Sequence, residues 1–319
     1  MLKTLDETVK TIESGALLHI SGSEPLLRRL PKGNWIGGST EYFMEKGGGV
    51  TTDERLDVRE LPFKQYRFAD YGKRDISNVT EDAFGNGFSI LIVPFDSAVH
   101  IEYAEKASGY EDIFMKNIVG WVAGTNLDKT QTPIAVDGST GVVFADRAVA
   151  LHIGVPDDKL VTLGIVNIFD ADPDAPVLTF PEDGFSARKA FVDGKEVVFA
   201  DYIAQNGIDT RLPIVGDYSG AGINISVKAV GDDAVSFYAP VFKGIEYRFA
   251  RPIGSYADAF ASRIAELSDG DVAFSCNCIL NYLYGELEGR DPGGFYGPVT
   301  FGEIAYQLVN QTLVYVQIL

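Results

Sequence analysis

Asp271-Val272-Ala273-Phe274-Ser275-Cys276-Asn277-Cys278 decides how the chain is read, because its side chains alternate in character. In an extended segment Val272, Phe274, Cys276 and Cys278 fall on one face, and Ala273, Ser275 and Asn277 on the other. That period of two marks a strand with one apolar and one small, polar face. Gly289-Arg290-Asp291-Pro292-Gly293-Gly294-Phe295-Tyr296-Gly297-Pro298 follows, dense in turn formers. Glu303 then opens an expected helix through Ile304, Tyr306 and Leu308, and Asn310-Gln311-Thr312 leads into a closing strand from Leu313. A polar-faced strand, a glycine-rich loop and a second strand can wall a small-molecule pocket.

Upstream, Ser255-Tyr256-Ala257-Asp258 has the form of a capping box for a helix with Ala257, Phe260, Ala261, Ile264 and Leu267 on one face, stopped at Gly270. At the other end of the chain, Thr4-Leu5-Asp6-Glu7 is a second capping box, ahead of a strand at Ala16–Ile20. Phe88-Ser89-Ile90-Leu91-Ile92-Val93-Pro94 reads as a buried strand, with helices expected over Val99–Tyr103 and Tyr110–Met115. Strands and helices mixed in this way give an α+β expectation, with largely antiparallel or mixed sheets. At 319 residues the chain has room for two mixed α/β domains. The acidic, proline-containing stretch from Asp170 to Pro181 is the expected boundary, giving domains 1–180 and 181–319.

Composition narrows the function classes. Lys and Arg number 27 against 45 Asp and Glu, a net charge of -18. Such a surface repels phosphate backbones and anionic lipid, so neither nucleic acid nor membrane is an expected partner. The N-terminus has no charged start leading into an apolar run, and the expectation is a cytoplasmic protein. The two cysteines, Cys276 and Cys278, sit too far apart along one strand for an easy bridge and lack a second pair of metal ligands. No dinucleotide, P-loop, kinase or hydrolase pattern occurs, so no cofactor is expected.

Gly37-Gly38-Ser39-Thr40 has two readings. The glycines supply a hairpin, or they let a ligand approach backbone amides while Ser39 and Thr40 add hydroxyls. Cys276 is likewise a small core residue or a nucleophile served by His152 or Glu303. Glu303 caps a helix or meets a positive group on a ligand.

The order Phe274-Ser275-Cys276, the Gly294-Phe295-Tyr296 turn, Gly302-Glu303-Ile304 and Asn310-x-Thr312 resembles the C-terminal half of the FIST family, and Gly37-Gly38-Ser39-Thr40 is similar to its Gly-Cys-Ser-Thr element, with Gly38 where that family has cysteine. Cys278-Ile279 stand where it has Gly-Arg. This resemblance implies a sensory ligand-binding domain of signal transduction, with a signalling protein as partner and amino acids as the ligand class. It implies a FIST N-like part over 1–180 and a FIST C-like part over 181–319. It also implies a ligand site of Gly38, Ser39, Thr40, Cys276, Asn277, Phe295, Tyr296 and Glu303 between them. A cysteine- or carboxylate-dependent enzyme using the same cleft is the alternative.

Overall fold

The described residues of the computed structural model are 1–218, 221–265, 267, 271–291 and 293–319. Among them the chain forms an α+β fold of mixed sheets. The first sheet runs Leu2–Lys3, Leu56–Glu60, Leu18–Gly22, Trp35–Ser39, Ala135–Asp137, Val142–Phe144. Its outer face packs Leu18, Ile20, Trp35 and Val58 against Ile12 and Leu26 of two helices, Leu5–Glu13 and Glu24–Leu27. The first helix begins at the expected capping box, in which Thr4 and Glu7 satisfy each other's backbone amides.

The second sheet runs Gln307–Val309, Glu303–Ala305, Asn117–Ala123, Gly87–Pro94, Ala148–Gly154, Gln65–Tyr71. Its middle pair, Gly87–Pro94 and Asn117–Ala123, is parallel and buried on both faces, which is why Ile90-Leu91-Ile92-Val93 is apolar without interruption. The third sheet runs Val161–Val166, Leu313–Ile318, Asp271–Cys278, Gly297–Thr300, Tyr42–Glu45, Gly48–Thr51. Ile36, Ile92, Trp121, Leu151, Phe274 and Val316 meet in one core between these three sheets. A fourth sheet, whose strands lie between Leu178 and Phe249, and a three-stranded fifth pack around Phe180, Phe199, Phe237 and Tyr247.

Residues 1–180 and 181–319 share three sheets, the fourth among them through Leu178–Thr179, which pairs with Lys189–Val192 and Tyr247. Glu303–Ala305 pairs with Asn117–Ala123, and Gly297–Thr300 with Tyr42–Glu45. The Asp271–Cys278 strand is central, antiparallel to Leu313–Ile318 and parallel to Gly297–Thr300. A bulge between Val272 and Phe274 breaks its alternation, so Val272 packs with Phe295 and Tyr315 while Phe274 and Cys276 enter the shared core. The helix expected from Glu303 is instead a hairpin: Glu303–Ala305 turns at Tyr306 (φ 64°) into Gln307–Val309. Ile304, Tyr306 and Leu308 recur every second residue, a strand period. Over Tyr110–Met115 only a 3-10 turn at Ile113–Met115 forms. Gly270 and Pro292 lie outside the described residues. No helix among the described residues is long and apolar enough to cross a membrane.

Candidate functional site

Six of the eight singled-out residues lie close together in the interior. A Cβ on Gly38 would stand 2.6 Å from Ile92 Cγ2 and 2.8 Å from the Trp121 ring, so glycine there lets two sheets approach. Ser39 Oγ accepts the Ile134 amide at 2.9 Å, and Thr40 Oγ1 donates to the Val299 carbonyl at 2.7 Å. Cys276 Sγ lies 3.4 Å from the Gly120 carbonyl. Asn277 Oδ1 accepts from the Cys278 amide and from Asn281 Nδ2, both at 2.9 Å. Phe295 belongs to another cluster, its ring 4.9 Å from that of Tyr315. Tyr296 gives its carbonyl to Arg59 and Ser275, and its hydroxyl to Asp291.

Glu303 is fully buried, and burial raises its carboxyl to about 8, against the pull of its hydrogen bonds. At neutral pH it is therefore protonated. Thr312 donates its amide (3.3 Å) and hydroxyl (2.9 Å) to Oε2. Thr300 Oγ1 lies 3.0 Å from Oε1 and donates its own proton to the Asn277 carbonyl at 3.1 Å. The acid proton on Oε1 thus has Thr300 Oγ1 as acceptor. Burial, reinforced by the nearby Glu303, pushes the Cys276 and Cys278 thiols well up, which keeps them protonated and poor nucleophiles. Among the described residues no group of three or more His, Cys, Asp and Glu is placed to hold a metal ion.

Open space with convergent chemistry occurs elsewhere, beyond the carboxyl ends of the two parallel strands. Phe95 continues Gly87–Pro94 and donates its amide to Ala123, the last residue of the neighbouring strand. Asp96 takes a left-handed φ of 60°, and Ser97 caps the helix Ala98–Lys106 by accepting the His100 amide. This strand–turn–helix corner meets Phe185 and the Val227–Val230 and Val235–Val241 strands of the fifth sheet around a cavity of about 170 Å³. Crevices outside the carboxyl ends of parallel strands are where α/β sheets bind ligands.

His100 lines this cavity and is only 4% exposed. Its Nδ1 accepts the Asp96 amide at 3.3 Å, which leaves the proton on Nε2. Nε2 is buried without a hydrogen-bond partner. Burial lowers this imidazole to about 4, so it is a neutral donor at physiological pH. Rings of Phe95 and Phe185 stand 5.5 and 5.8 Å from it, and the Lys228 ammonium lies 5.1 Å over Phe95. A larger groove of about 600 Å³ is lined by Asp6, Glu41, Asp53 and Glu54, but Glu41 there is already engaged by Lys129 and Asn126.

The sequence motifs single out none of these residues. The available signal was local: a buried apolar strand ending at Pro94, an Asp-Ser turn, and a histidine three residues after the cap. Phe185 and Lys228 carried none, because only tertiary structure brings them there.

A family model described as "Family of unknown function (DUF6976)" matches residues 3–319, so the chain belongs to that family. No FIST match accompanies it, and the match over nearly the whole chain overturns the FIST resemblance. The motifs behind that resemblance are only three or four residues long, and here Gly38 and Thr40 bring strands together. No curated protein sequence matches the chain.

Proposed function

We propose that this member of a family of unknown function binds a small molecule in the His100 cavity. The observation that carries the reading is a buried imidazole nitrogen with a proton to donate and no partner, at the edge of an aromatic-walled space. Buried donors left unpaired are costly, and a ligand acceptor relieves that cost. A volume of 170 Å³ equals the share of about six waters, which suits an amino-acid-sized molecule.

A thermal-shift screen of amino acids and similarly small metabolites tests this. A ligand at 100 times its dissociation constant adds about 2.7 kcal/mol of stability. His100→Phe, which removes the donor and keeps a ring, should weaken any hit by at least about tenfold. A hit whose affinity is unchanged in His100→Phe would place binding elsewhere, and a screen with no hit would remove the support for the reading.

A further inference from the structure

We infer that the ligand of the His100 cavity is a planar heteroaromatic acid, whose ring accepts a hydrogen bond from His100 and whose carboxylate meets Lys228. The inference rests on the binding proposed above and adds the chemistry of the occupant. Three features set that chemistry. The walls are largely aromatic: Phe95, Phe185 and Phe237 line the cavity beside Tyr238 and Ser236, and aromatic faces favour a stacked or edge-on ring. The one unpartnered buried polar atom among the lining residues, His100 Nε2, carries a proton, so the buried end of the ligand has to present an acceptor. At the exposed mouth Lys228 lies over Phe95 with no ion pair among the described residues, which leaves its charge free for an anion.

Asp96 shares the mouth, and it disfavours any second negative charge on the ligand. One carboxylate is therefore the limit. The acceptor cannot be a second anion either, because a neutral imidazole in an apolar surround does not offset a buried charge. A ring nitrogen or ring carbonyl meets that condition.

Nicotinate, benzoate and nicotinamide form a set of probes that separate these elements, measured by titration calorimetry at neutral pH. Benzoate differs from nicotinate by the loss of the ring acceptor alone, and nicotinamide by the loss of the charge. Nicotinate is expected to bind at least about tenfold tighter than benzoate. His100→Phe should abolish that preference, and Lys228→Gln should bring nicotinate down to the level of nicotinamide. The comparison of probes on the unaltered protein decides the matter even if a variant fails to fold. Equal binding of nicotinate and benzoate would overturn the hydrogen-bond assignment while leaving the cavity as the binding site. Screen hits that depend on His100 but are non-aromatic, with all three probes inert, would overturn the ligand class. No binding by any probe or screen compound would overturn the binding proposal itself.

Discussion

Glu303 is a carboxyl held inside the fold, with Thr300 on one oxygen and Thr312 on the other. An acidic residue between Gly302 and Ile304 stands out in the sequence, but nothing local reveals that Thr300 and Thr312 enclose it. Its raised carboxyl makes stability depend on pH in a definite sense. Between the ordinary carboxylate range and about 8 the folded state keeps a proton that the unfolded state has lost, so this group makes stability fall as pH rises. The slope is roughly 1.4 kcal/mol per pH unit. His19, His100 and His152 act in the opposite sense: burial lowers each to about 4, so stability falls as pH drops from about 6.5 towards 4. The melting temperature should therefore peak near neutrality. Glu303→Gln can keep every contact, its amide donating to Thr300 and its carbonyl accepting from Thr312, and should flatten the alkaline side of the profile. A variant with the same alkaline slope as the parent would show that Glu303 ionises as an ordinary carboxyl.

Elements were readable wherever local pattern sufficed. The apolar run Ile90–Val93 marks a buried strand, and two capping boxes mark helix starts. The failures have physical causes. Ile304, Tyr306 and Leu308 carry a strand period that an acidic residue beside a glycine disguises as a helix start, and the bulge before Phe274 depends on pairing with Leu313–Ile318, which no local pattern encodes. Gly38 illustrates the same limit: hairpin freedom or ligand access explained it in the sequence, yet its φ lies outside the left-handed region and its contacts are Ile92 and Trp121. Gly38→Ala should cost about 1–3 kcal/mol by overpacking the interface between the first two sheets. Urea denaturation measures this; an unchanged midpoint would show that the sheets can move apart without strain.

At the scale of the whole molecule, the α+β class was legible and the connectivity was not. The acidic stretch before Pro181 looks like a linker, but the strands on either side of it complete each other's sheets. A fragment of residues 1–180 lacks the partners of Tyr42–Glu45 and Asn117–Ala123 that come from Gly297–Thr300 and Glu303–Ala305. It should show no cooperative thermal transition by circular dichroism; a sharp transition would establish that those residues fold alone. The pairing of Val161–Val166 with Leu313–Ile318 also has a consequence in time. At ribosomal speeds the earlier strand emerges about 7 to 30 s before its partner exists. Throughout that interval a β-branched, apolar edge is bare in a crowded cell, and the nascent chain at this stage is a natural client for a chaperone that shields unpaired strands.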